Sequence, residues 1–131
     1  MSRRLPDSAK PIEWVGSSLD DLRGFPPEVR RDFGQALFEA QLGGRHPAAK
    51  PLSGFGGAGV LEIVADHDGN AYRGIYTVKF GSVIYVLHAF QKKSKRGART
   101  PARDRNLIET RLKIAAEHYR STNPSKPISR T

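Results

Sequence analysis

The 131-residue sequence predicts an α+β domain: a small, mostly antiparallel sheet with a helical pair towards the N-terminus and one helix towards the C-terminus. Three observations carry that reading. Helical periodicity occupies two separated stretches, around residues 18–41 and 101–119. Between them lie three β-patterned runs in close succession. Those runs are joined by Asp68-Gly69 and Gly81-Ser82, which are hairpin turn signals.

The first element, PIEWVG (Pro11–Gly16), alternates Ile12, Trp14 and Gly16 against Glu13 and Val15 and reads as a short strand. In SSLDDL, Ser17 or Ser18 can cap a helix, with Asp20 or Asp21 in the capping-box position. Pro26 and Pro27 open a second helix whose apolar stripe is Val29, Phe33, Leu37 and Ala40, and LGGR ends it. A loop, HPAAKPLSGFGGAG, leads to the strands VLEIVAD, AYRGIYTVKF and VIYVLHAFQ. Thr100 can then cap a last helix with Pro101 in its first position and Ile108, Leu112, Ala115 and Tyr119 on its apolar face. The expected order is β-α-α-β-β-β-α. Residues 1–10 and 122–131 are polar and Pro-containing, and read as flexible ends around one domain, residues 11–121.

Charge is distributed unevenly. The chain carries +9 at pH 7, and +6 of this sits between Lys92 and Arg105, leaving +3 for all other residues. A local patch of this kind points to a polyanionic partner; a solvated surface run is the alternative. There are no cysteines, so disulfide and thiolate chemistry are excluded. MSRRLPDSAK lacks the apolar segment of a secretory signal, and no stretch is long enough to span a bilayer, so the expected location is the cytoplasm, without membrane association. His46, His67, His88 and His118 are scattered without metal-ligand spacing, and no metal or other cofactor is expected. GFGGAG lacks the Lys-Ser/Thr of a phosphate-binding loop and precedes a strand, not a helix.

If Gly81-Ser82 is a two-residue turn, alternation places Arg73, Ile75, Thr77 and Lys79 on one face with Ile84, Val86, His88, Phe90 and Lys92. Arg73 then lies opposite Phe90 and diagonal to His88 and Lys92, and polar side chains converge at the end of the hairpin away from the turn. A one-residue slip would split the cluster. Arg73 can equally serve as the structural partner of Glu62 on the neighbouring strand, and His88 as a hydrogen-bonded strand-end histidine. A basic site with an imidazole suits a phosphodiester. Metal-independent RNA cleavage needs a base for the 2′-hydroxyl, a proton donor for the leaving oxygen and cations for the charge growing on phosphorus.

The ordered set KPLSG, LEI, YRGIY and LHAFQKKSKR, ahead of a Thr-Pro helix start, resembles type II toxins of the RelE/ParE superfamily, in their phage-derived HigB-like branch. The resemblance covers roughly Pro11 to Tyr119. It implies a RelE-like fold and a ribosome-dependent mRNA endonuclease that halts translation. It also implies a cognate antitoxin with a helix-turn-helix domain. Residue by residue, Arg73 falls where RelE-like enzymes carry a phosphate-contacting arginine, and Lys92 and Lys93 where they have a basic pair after the final strand. Lys50 matches a recurring loop lysine, and His88 the LHAF histidine of the branch. Arg73, His88, Lys92 and Lys93 are the candidate catalytic residues. Lys50, Lys95, Arg96 and Arg99 are the expected contacts to RNA and ribosome. The chain departs from RelE-like enzymes at Glu62 and Val64, where those carry lysines, and has no tyrosine in the basic loop. Those departures leave open a ParE-like poison of DNA gyrase, and the local charge fits equally a non-enzymatic nucleic-acid-binding module acting with an antitoxin.

Overall fold

A computed structural model describes residues 5–57, 59–92 and 100–124. The elements run β1 (Ile12–Trp14), α1 (Ser18–Arg23), α2 (Pro27–Gln41), β2 (Lys50–Pro51), β3 (Val60–His67), β4 (Asn70–Thr77), β5 (Ile84–Lys92) and α3 (Ala102–Thr122). The five strands form one sheet in the order β1-β5-β4-β3-β2, in which only the β1–β5 pair is parallel. The α+β architecture is as the sequence predicts, with one strand more: β2 is two residues long and falls inside the segment read as a loop.

Side-chain alternation along the strands divides the interior into two cores. On one face, Val29, Phe33, Ala36, Leu37 and Ala40 of α2 meet Leu61, Ile63, Ala65, Tyr72, Tyr76, Ile84 and Val86, with Leu22 of α1 alongside. On the other, Ile108, Ala115 and Tyr119 of α3 meet Val60, Ile75, Tyr85 and Leu87. The expected α2 stripe is buried throughout. Helix geometry explains the choice, since positions three and four residues apart share a face. Asp68 and Gly69 have φ of 50° and 79°, the left-handed pair that a tight hairpin demands, and His67 pairs with Asn70 across them.

Local details differ from expectation at three places. Ser17 is the residue before α1, but its hydroxyl donates to the Asp21 carboxylate (2.8 Å) and makes no cap to a backbone amide. Ser18 is buried and donates to the Val86 carbonyl, which ties α1 to β5. At α3 the cap position is Pro101, and the helix begins at Ala102, one residue later than expected.

The third difference concerns the β4–β5 hairpin. Gly81-Ser82 is not a two-residue connection: the strands stop at Thr77 and Ile84, and the Val83 amide bonds to the Phe80 carbonyl to close a wider loop. The register therefore starts one residue off, with Thr77 opposite Tyr85 and Tyr76 opposite Val86. A β-bulge then absorbs the difference, so that Ile75 faces His88 and Arg73 faces Phe90. Near the turn the faces are consequently the reverse of those expected, with Ile84 and Val86 on the α2 side and Tyr85 on the α3 side. Beyond the bulge they are as expected.

Candidate functional site

The bulge brings the site together. Leu87 is the extra residue on β5, and it lets both Leu87 and His88 turn towards α3. From there Phe90 and Lys92 continue on that face, with Arg73 opposite Phe90 and Lys92 opposite Ala71. A row of backbone partners crosses the sheet from Lys50 through Glu62 and Ile75 to His88. Lys50, Arg73, His88 and Lys92 thus share one side of the sheet. Lys93, Lys95, Arg96 and Arg99 lie outside the described residues.

Each of the two central side chains is held by a carboxylate. Arg73 donates from Nη1 to Glu62 Oε2 at 2.7 Å, the structural partnership that the sequence left open. His88 Nε2 lies 2.8 Å from Asp104 Oδ1 in the first turn of α3. The carboxylate accepts, so Nε2 carries a proton, and in the uncharged form of the ring the lone pair then falls on Nδ1. That Nδ1 is buried and has no hydrogen-bond partner among the described residues. The imidazole stacks on Phe90, with ring centroids 4.6 Å apart, so the residue facing Arg73 also touches His88.

Burial is tighter than a solvent-facing rim would give: Arg73, His88 and Lys92 are 7%, 6% and 7% exposed. His88 does not stand open to solvent at the strand end, because the start of α3 covers it. Burial pushes the Lys92 ammonium below its ordinary value; the nearby Arg73 charge pushes the same way, and Glu62 opposes. A lysine so placed releases its proton more readily than one in water.

Two residues of the site went unnoticed in the sequence. Asp104 stood there as the lone acid in a basic run, and its position in the first turn of a helix was its only signal. Arg111 gave none. Its guanidinium is buried beneath the sheet, donating from Nη1 to the carbonyl of the bulge residue Leu87 (2.9 Å) and from Nη2 to the Ser17 hydroxyl (3.0 Å). It fits because Gly16, at φ +58°, has no Cβ; one added there would lie 2.8 Å from the guanidinium. Among the described residues no three His, Asp or Glu side chains are grouped to hold a metal ion, and no helix is long and apolar enough to cross a membrane.

The profile of the family described as "Phage derived protein Gp49-like (DUF891)" matches residues 20–113. The chain belongs to that family. Its match spans α1 through the first half of α3 and so contains every element that builds the site. No curated protein matches the chain. Among solved structures, a mutant of the E. coli toxin RelE in the free state superposes with a TM-score of 0.52 at 19% identity, covering 81% of this chain and 97% of that one. The Gp49-like chain therefore has the RelE fold, as its resemblance to the phage-derived branch of that superfamily implied.

Proposed function

We propose that this Gp49-like protein is the toxin of a type II toxin–antitoxin system and acts as a ribosome-dependent mRNA endonuclease. The observation that carries the reading is the gathering of Arg73, His88 and Lys92 on one face of a RelE-fold sheet, with the imidazole held by Asp104. In this reading the scissile phosphate meets the Arg73 guanidinium, which stabilises the charge developing on its oxygens. Once bound RNA displaces the start of α3 far enough to uncover His88, Nδ1 takes the 2′-hydroxyl proton, Asp104 stabilises the imidazolium that results, and Lys92 protonates the leaving 5′-oxygen. DNA has no 2′-hydroxyl, so the chemistry selects RNA. Lys93, Lys95, Arg96 and Arg99, with Lys50, supply charge for docking among ribosomal phosphates. The partner is an antitoxin with a helix-turn-helix domain, which the basic face attracts at long range.

Controlled expression of the chain followed by sequencing of mRNA ends tests this. The expected result is arrested growth with cuts inside reading frames, lost in Arg73→Ala and His88→Ala variants that remain soluble. Intact mRNA with trapped gyrase–DNA complexes would overturn it in favour of gyrase poisoning. Full toxicity of both variants would remove these residues from the chemistry.

A further inference from the structure

Beside the catalytic face lies an open groove of about 830 Å³, between the segment after β2 and the start of α3, lined among others by Lys50, Ser53, Glu62, Thr100, Ala102 and Arg105. Its volume is within the roughly 300–1,000 Å³ of small-ligand pockets. Four features give it a chemical character. First, α3 is 21 residues long and its cap residue is Pro101, which makes no side-chain cap. The amides of Ala102 and Arg103 therefore have no intrahelical acceptor, and the positive end of the helix dipole stands there. Second, Thr100 is 5% exposed, and its buried hydroxyl has no hydrogen-bond partner among the described residues. Third, Lys50 is exposed and makes no ion pair among them. Fourth, the Arg105 guanidinium is fixed by a bond to the Ser53 carbonyl (3.2 Å) and sits 5.4 Å over the Phe55 ring.

The nearby carboxylates do not cancel this. Glu62 is engaged by Arg73, and Asp104, although in the first turn of α3, is turned to His88. What remains is a set of donors and a cation suited to a phosphate, next to a flat apolar ring capped by a guanidinium. Free amides at a helix N-terminus with a hydroxyl and a lysine are a phosphate site. An aromatic ring and an arginine plane are what unstacked bases settle on.

We propose that this groove is a ribonucleotide subsite, binding a phosphate at the start of α3 through Thr100, Lys50 and the first amides, and its base against the Arg105 guanidinium plane, which Phe55 backs. The inference rests on the RNA reading above and extends it: the groove shares Glu62 with the catalytic face, so it holds a nucleotide neighbouring the scissile bond. It also supplies the stacking surface that the basic loop lacks.

The test is an NMR titration of the purified full chain with adenosine 3′-monophosphate, inorganic phosphate and adenosine in turn. The nucleotide is expected to move the Ala102 and Arg103 amides and to bind about tenfold more tightly than inorganic phosphate, the difference being the stacked base. Thr100→Val should weaken the nucleotide about tenfold, as loss of a hydrogen bond to a charged group does. Lys50→Gln, at an exposed position that leaves the fold alone, should weaken it about threefold. Phe55→Leu should reduce nucleotide binding and leave inorganic phosphate unchanged. Unmoved Ala102 and Arg103 amides, or native affinity in both the Thr100 and Lys50 variants, would overturn the subsite. Equal affinity for nucleotide and inorganic phosphate would overturn the base platform. Because no ribosome or cleavage enters the readout, a chain that binds the nucleotide here yet leaves mRNA intact keeps the subsite and loses the nuclease.

Discussion

Replacing Arg111 by Met tests the proposition that a buried arginine holds the bulge that makes the site. The substitution keeps an unbranched chain of similar reach and removes both hydrogen bonds, to the Leu87 carbonyl at 2.9 Å and to the Ser17 hydroxyl at 3.0 Å. A bond from a charged donor contributes about 1.5–3 kcal/mol, and a buried carbonyl left without a donor costs about 1–3 kcal/mol. Relief from burying the guanidinium offsets part of this. The expected net loss is about 2–4 kcal/mol, read as a lower urea midpoint at unchanged slope. In a domain of this size that corresponds to a fall in Tm of roughly 10 °C. Ser17→Ala removes one exposed partner only and should cost under about 1 kcal/mol. The consequence for the site is separate: without the bond to Leu87, His88 loses the backbone that directs it at Asp104, so its ring resonances should shift, and the proposed cleavage should fall with them. A loss below about 0.5 kcal/mol would refute the energetic argument. A large loss with unmoved His88 resonances would show that the bulge stands without Arg111.

Two further outcomes follow from the same geometry. The Tyr76 hydroxyl is buried without a partner among the described residues, so Tyr76→Phe should leave stability unchanged or raise it by up to about 1 kcal/mol. Burial pushes that phenol up to about 12, against a counteracting pull from Arg45. Its contribution is complete below the ordinary value of 10.0 and is lost as pH rises through about 12. Denaturation at about pH 9 and about pH 11.5 should show a smaller alkaline loss in the variant, and a loss as large as the parent's would contradict the assignment. Asp104→Ala removes the acceptor 2.8 Å from His88 and should cost about 1.5–3 kcal/mol in urea, with Asp104→Asn milder because its amide oxygen still accepts. A fully stable alanine variant would mean that the pair contributes nothing to docking α3 on the sheet.

Much of the fold was legible because it rests on short-range patterns. The α2 stripe, the Asp68-Gly69 turn and the apolar strands each declare themselves within a few residues. The site was legible only in part. Arg73, Phe90 and His88 were placed together through a turn that does not exist as assumed, and the expected neighbours survive because a bulge at Leu87 restores the register before Ile75. A bulge is a compromise between two strands, and nothing in one strand's sequence marks it. Val86 was assigned to the wrong face for the same reason. Asp104 and Arg111 were missed because their partners, His88 and Leu87, lie 16 and 24 positions away in the chain. No periodicity reports contacts of that range. Two-residue β2 was too short to show alternation at all.

The carboxylates held by Arg73 and His88 bear on whether such a buried site can do chemistry. A guanidinium at 7% exposure cannot remain without an anionic partner, since an unpaired buried cation is costlier than the pair. Glu62 meets that need before any substrate arrives, and it does so with a planar oxyanion whose demands on the guanidinium resemble those of a phosphate. The resting ion pair therefore keeps Arg73 close to the pose that a phosphoryl group would require, and exchange of one oxyanion for another needs little rearrangement. Asp104 acts on His88 in a complementary way. By accepting from Nε2 it orients the ring, and in the proposed cleavage this sets Nδ1 towards the 2′-hydroxyl. Both pairs are structural contacts that tie neighbouring elements together. In the proposed chemistry the same contacts would supply the pre-ordering that proton transfer and charge stabilisation require, and the bulge under Arg111 is what turns His88 onto the face of Arg73.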